Sequence, residues 1–258
     1  MTTRMLKNWN NYYSSALKIM TDRTINVDTS HRCLLQCPYC TRQNSVGKAV
    51  VKQYQVEYGD LRINDAIKMA QTWPRLSFCG QISDPVYHPK MHDLMRALNT
   101  VDNLKFIEFH TTGHGKKTVW WEELVDITNS GNYFMQWIFG IDGINQKTSL
   151  HRVNQSFDSA FNAMKYVAQN VKDHGEVIWQ YIVFEYNEKD IPTAIQMAND
   201  YGIKFQLLTS SRFGAPGRND NPLQPPTAPA LKNFSGFSKK LYINSVDEYN
   251  EILNEIRD

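Results

Sequence analysis

Six short apolar runs recur along the 258-residue chain, and amphipathic stretches fill the gaps between them. Runs of this length, too short for helices and bounded by polar or glycine-rich segments, predict strands at 24–29, 75–79, 104–110, 135–141, 177–185 and 204–209. Between them the spacing of apolar positions shifts to that of a helix. Asn64 is placed to cap a helix over 65–72, and another is expected over 90–100. Trp120, Leu124 and Ile127 share one face of a helix over 119–129. Ser156 is placed to cap a helix over 157–171, whose apolar face carries Phe157, Phe161, Met164 and Val167. A helix over 190–201 ends at Gly202, a residue suited to the left-handed turn that stops a helix. Strands alternating with helices predict an α/β fold with a parallel sheet.

Each predicted strand runs into a polar or glycine-rich turn. The first leads into a cysteine-rich loop, and the second into Gly80-Gln81-Ile82-Ser83-Asp84-Pro85. The third leads into Thr111-Thr112-Gly113-His114-Gly115, and the fourth ends at Asp142-Gly143. The fifth ends at Glu185-Tyr186-Asn187 and the sixth at Ser210-Ser211-Arg212. In parallel βα barrels the working residues gather at these strand ends, because the loops there converge on one rim. Six units instead of eight predict a partial, laterally open (β/α)6 barrel of the TIM type. Residues 212–229 hold two glycines and five prolines and read as a loop. A last helix is expected over 246–256. Ahead of the barrel, Trp9, Tyr12, Tyr13, Leu17 and Ile19 suggest a lead-in helix. The expected division is therefore 1–23, 24–213 and 214–258.

Composition narrows the class without naming the chemistry. A formal net charge of +2 argues against a nucleic-acid or membrane surface. No apolar run approaches the length of a membrane span, and the start of the chain lacks the apolar core of a secretory signal. A cytoplasmic protein is the expectation.

Three of the four cysteines crowd into eight positions: Cys33, Cys37 and Cys40. Such crowding suits metal binding better than a disulfide framework. Three thiolates leave a tetrahedral centre one ligand short, and an open coordination position is the mark of a centre built for reaction. Soft thiolates select zinc, copper(I) or iron–sulfur clusters. A structural zinc site, completed by His31, Cys79 or a distant histidine, is the plain alternative. Cys79 itself reads as a small buried core residue at a strand end. His88, His92 and His174 read as surface or turn residues.

The C-x3-C-x2-C spacing, with Tyr39 just before the last cysteine, resembles the signature of the radical S-adenosylmethionine (SAM) superfamily. That resemblance implies a single [4Fe–4S] cluster held by Cys33, Cys37 and Cys40, with SAM chelating the fourth iron. The reaction implied is reductive cleavage of SAM to a 5′-deoxyadenosyl radical that abstracts hydrogen from a substrate C–H bond. It also implies an electron-donor partner of the flavodoxin or ferredoxin kind. Other segments look similar to the family's motifs. Gly80, Gln81, Ser83 and Asp84 resemble the turn that holds the SAM methionine, although Ile82-Ser83 stands where a second glycine is usual. Thr111-Thr112-Gly113 is similar to the turn after the third strand, and Gly140-Ile141-Asp142-Gly143 to the end of the fourth. Arg152 matches an arginine placed to grip the SAM carboxylate. Tyr39 and the backbone near Asn187 would meet adenine, and Asp142 would meet ribose or substrate.

The stretches at 120–124, 141–143 and 209–213 look closest to SPASM and twitch members, but the auxiliary-cluster cysteines of those groups are missing here. That likeness favours a peptide or protein side chain as substrate. A nucleotide, another small metabolite or a glycyl-radical partner are rivals, and a zinc-structured binding module is the non-enzymatic one. His110, His114 and Arg212 end or follow strands and are the candidate substrate contacts.

Overall fold

The computed structural model describes residues 24–38, 40–43, 45–79, 82–209, 223–232 and 241–255. The expected lead-in helix lies outside these residues, as do Tyr39, Gly80, Gln81 and Arg212.

Seven strands form one sheet in sequence order: β1 (Thr24–Asn26), β2 (Arg75–Phe78), β3 (Phe106–Thr111), β4 (Phe134–Gly140), β5 (Gly175–Val183), β6 (Lys204–Thr209) and β7 (Leu241–Ile243). The first six are parallel to their neighbours, and β7 runs antiparallel to β6. The sheet is not closed, so the open α/β architecture read from the sequence stands. The three-residue β7 was too short to register as an apolar run.

Helices bridge the strands: α1 (Ser45–Gln53), α2 (Ile63–Thr72), α3 (Met91–Leu98), α4 (Thr118–Asn129), α5 (Thr148–His151), α6 (Phe157–Asn170), α7 (Ile191–Asn199), α8 (Pro229–Lys232) and α9 (Val246–Glu255). A π turn, Tyr54–Tyr58, extends α1. α1 was not expected from the sequence, although Val46, Ala49 and Val50 recur at helical spacing. Ser156 does cap α6, its hydroxyl accepting from the Ser159 amide at 3.3 Å. Asn64 does not cap α2: Arg62 holds that position and Asn64 lies inside the first turn. Gly202 adopts φ +67 after α7, in the left-handed region expected of it.

Strand periodicity divides the sheet into two faces. One face packs under the helices: Leu76 and Phe78, Ile107 and Phe109, Trp137 and Phe139, Trp179 and Tyr181, Phe205 and Leu207 all join a single core. Aromatic rings knit it together. Phe109 meets Trp137 at 5.0 Å, Phe161 meets Trp179 at 5.5 Å, and Trp179 meets Phe205 at 5.7 Å between ring centroids. Each such side chain taken out of water contributes about 1.5–3 kcal/mol, which is why this face dictates the fold.

Most alternate positions turn the other way and are polar, Ser77, Glu108, His110, Gln136, Gln180 and Gln206, with Ile138 and Ile178 set among them. A parallel sheet with helices on both faces is apolar throughout. A polar row on one face instead marks a lumen. Its lower end is closed by the Arg75 guanidinium over Phe106 at 4.1 Å and by Phe106 stacked on Phe134 at 5.5 Å. Cys79 follows the polar row, and it is only partly buried. The core position expected of it belongs to Phe78 instead.

Two strands end earlier than their apolar runs. β1 stops because the Asp28 carboxylate turns across to the second loop, accepting from the Ile82 and Ser83 amides at 3.0 and 3.1 Å. β5 stops because the Asn187 side chain accepts from the Phe184 amide at 2.7 Å and folds the chain back.

Candidate functional site

The loop carrying Cys33, Cys37 and Cys40 lies over the C-terminal ends of the strands and is stapled on both sides. Leu35, 3% exposed, anchors it from within. Toward β2, the Asp84 amide donates to the Arg32 carbonyl at 2.9 Å, and Arg42 donates to the carbonyls of His31 and Ile82. Toward β4, the Gln36 amide donates to the Val153 carbonyl at 3.1 Å. Within the loop, the Cys40 amide donates to the Cys37 carbonyl at 3.1 Å.

All three cysteines are free thiols, partly buried. Burial, then the negative charge of Asp84, pushes the Cys33 thiol up to about 12, and Cys37 adds to the effect. Burial raises Cys37 as well, with Arg152 opposing and Cys40 reinforcing. Cys33 and Cys37 therefore each feel a neighbouring sulfur, and holding these two as thiolates requires added positive charge. Among the described residues no three His, Cys, Asp or Glu side chains already converge on a metal position.

Asp84 is 3% exposed. Its Oδ2 accepts from the Thr112 amide and hydroxyl at 2.9 and 2.7 Å, and its Oδ1 accepts from the Val86 amide at 3.2 Å. Burial raises its pKa despite those bonds. Lys116 and His114 feel its charge, but among the described residues no cation stands in ion-pair contact with it, so the carboxylate sits in a dry site held by hydrogen bonds. Ser83 is turned to Asp28, its hydroxyl donating at 2.9 Å.

On the opposite side stands a buried cluster at the end of β4. Asp142 is fully buried and holds the Ile182 amide at 2.8 Å, His151 Nδ1 at 2.7 Å and Arg152 Nε at 2.7 Å. Burial alone would raise its pKa, but the Arg152 charge and the His151 bond outweigh burial and hold it down. The Arg152 guanidinium lies across Gly140: a Cβ there would stand 2.5 Å from Arg152 Nη2. Its charge also reaches Cys37. Arg152 therefore joins the fourth strand end to the cysteine loop. Gly143 adopts φ +143 beside Lys147 and Thr148, a turn that leaves no room for a side chain.

Asn187 is fully buried and serves the fold: its amide donates to the carbonyls of Asp142 and Ile182 at 3.0 and 2.9 Å, and its own carbonyl accepts from Tyr181 Oη at 2.9 Å. His110 stands on the polar face, its Nε2 3.8 Å from Glu108 Oε2. His114 Nδ1 accepts from the Ser156 amide at 3.2 Å, and burial lowers its pKa. His88, expected at the surface or in a turn, is in a turn but 4% exposed, with Nε2 2.9 Å from the Leu61 carbonyl.

Three further residues hold this arrangement, and two of them, Asp28 and Gln155, carry no sequence signal. Asp28 ties the first strand to the second loop. Gln155 bridges the third and fourth, its Nε2 donating to the carbonyls of Thr112 and Gly140 at 2.7 and 2.9 Å. His151 supports Asp142. Each contact spans a distance in sequence that no local pattern encodes.

The donor chemistry fits an iron–sulfur cluster and an amino-acid chelate. Three soft thiols crowd one loop, a buried acid has no cation in direct contact with it among the described residues, and an arginine charge reaches the middle cysteine. No helix among the described residues is long and apolar enough to cross a membrane.

No protein-family model and no curated protein matches the chain. Solved structures do. SuiB of Streptococcus suis bound to the precursor peptide SuiA matches with a TM-score of 0.56 at 14% identity, over 81% of this chain and 45% of SuiB. SuiB bound to S-adenosylmethionine matches with a TM-score of 0.57 at 12% identity, over 100% of this chain and 55% of that one. This chain thus spans about half the length of the structures it resembles. At such identity the likeness is one of fold, and the fold is the partial barrel built above.

Proposed function

We propose that the chain is a radical SAM enzyme that acts on a peptide or protein side chain. The observation that carries this reading is the set of three free thiols on the loop after β1, flanked by the buried Asp84 and by Arg152. Cys33, Cys37 and Cys40 would hold one [4Fe–4S] cluster. When bound, that cluster supplies the electron that cleaves SAM to methionine and a hydrogen-abstracting 5′-deoxyadenosyl group.

The chain's own residues do the rest. Asp84 gives the SAM ammonium a dry counter-charge, where charge-assisted hydrogen bonds are strongest. Arg152, oriented by Asp142 through Nε, turns its remaining donors to the SAM carboxylate, a geometry suited to guanidinium. By the resemblance, Gly80, Gln81 and Ser83 would meet the methionine, Tyr39 and the chain near Asn187 would meet adenine, and His110, His114 and Arg212 would contact substrate. The likeness to SuiB, whose structure was solved with a precursor peptide, supports the peptide class.

The test is anaerobic reconstitution, then incubation with SAM and dithionite. Parent protein should contain iron and sulfide and release 5′-deoxyadenosine. Cys37→Ala should lose cluster and release together. Continued release by that variant would refute the ligand assignment, and a colourless protein holding zinc would favour the structural metal module.

A further inference from the structure

The lumen carries a pair of side chains that the chemistry proposed above leaves unused. Gln180 on β5 and Gln206 on β6 are register partners, and Gly140 on β4 is the partner of Gln180 on its other side. Neighbouring strands lie about 4.8 Å apart, so both glutamines stand at the level where the Arg152 guanidinium crosses Gly140. That level is the upper end of the lumen, toward the cysteine loop.

Gln180 Nε2 donates to Gln206 Oε1 at 3.0 Å. One group on each side chain is left over. Gln206 is 0% exposed, and its Nε2 has no hydrogen-bond partner among the described residues. Gln180 is only partly buried and keeps its Oε1 as an acceptor. A donor held dry and unpaired is costly, and native structures leave few of them. A further amide can satisfy both groups, its carbonyl accepting from Gln206 Nε2 and its N–H donating to Gln180 Oε1. A carboxylate has no N–H to donate, and an alkyl group offers neither function.

The surroundings favour a neutral tip on an apolar stem. Two residues further along the same face, Ile182 and Leu208 are again register partners and only partly buried. The lumen therefore opens above the glutamines through an apolar collar. Lys204, one step down β6 on this face, is paired with Glu176. Resting on the radical SAM reading, we propose that Gln180 and Gln206 are specificity residues that hold a side-chain carboxamide of the substrate, the tip of an asparagine or glutamine. The collar takes the methylene stem and leaves its C–H groups toward the strand ends. A backbone amide fits less well, because its polar neighbours would lose water against Ile182 and Leu208.

The test is ligand-observed NMR titration of anaerobically purified protein with four probes, the N-acetyl methylamides of glutamine, asparagine, glutamate and alanine. Parent should bind the glutamine or the asparagine probe at least tenfold more tightly than the glutamate and alanine probes, since a site built to hydrogen-bond a group rejects analogues that lack it. Gln206→Leu and Gln180→Leu should each bring the four affinities within about twofold of one another. Gln206→Leu should also keep its urea midpoint at or above the parental one, because it no longer buries an unpaired donor.

Equal binding of all four probes by parent would overturn the proposal, and so would a carboxamide preference that survives in both variants. A lowered midpoint in Gln206→Leu with the preference intact would make the pair a structural bond. Should the parent hold iron yet release no 5′-deoxyadenosine with SAM and dithionite, the radical SAM reading fails, while the titration still decides the carboxamide site.

Discussion

Glu108 sits on the polar face of the sheet, 13% exposed, paired with Arg75 and close to His110. Burial alone would raise its pKa. Hydrogen bonds from His110 and Ser77 and the charge of Arg75 outweigh burial and hold it at about 2, against an ordinary 4.5. A carboxyl depressed in the folded state stabilises the protein above its unfolded pKa and loses that contribution as pH falls through the folded value. At about 1.4 kcal/mol per pH unit, Glu108 contributes about 3 kcal/mol at pH 7, roughly half of that at pH 3, and close to nothing at pH 2. Glu108→Gln keeps the shape, removes the charge and strands Arg75, which is itself only 17% exposed. Urea unfolding of parent and variant, followed by circular dichroism at pH 7, 4 and 3, should show a gap of about 3 kcal/mol that narrows steadily toward acid. Two curves separated by the same amount at every pH would refute the reasoning. The pair would then stabilise by shape and hydrogen bonding, and its charge would contribute nothing.

Two further outcomes follow from packing. Gly140→Ala places a methyl group against the Arg152 guanidinium. It should weaken SAM binding roughly tenfold with little change in unfolding midpoint, whereas unaltered affinity would remove Arg152 from the SAM site. Trp137→Ala opens a cavity among Phe109, Trp121 and the helices and should cost about 3–5 kcal/mol in urea unfolding. A loss below about 1 kcal/mol would mean that the core collapses around the gap.

The six parallel strands were legible because each is a local apolar run, and the direction of the chain follows from the helices between them. The cysteines were legible for a similar reason: their spacing lies within eight residues. β7 was not, since three residues give no period, and α1 was missed because Val46, Ala49 and Val50 make only a short stripe. At strand ends the sequence extends too far, because β1 and β5 are cut short by the carboxylate of Asp28 and the amide of Asn187. Those bonds depend on which loops meet in space. Arg152 was found only through family resemblance, and the dependence of its orientation on Asp142 and Gly140 emerged only with the fold. Asp28 and Gln155 were passed over altogether, for each acts on a residue brought near by tertiary folding.

A sheet left unclosed has two raw margins, each a template on which another chain can add a strand. Among the described residues both margins, β1 and β7, are only three residues long. Stubs of that length offer too few free backbone groups to seed intermolecular pairing. The open side of the sheet is therefore kept without a long adhesive border, and lengthening either outer strand should cost solubility before it costs stability.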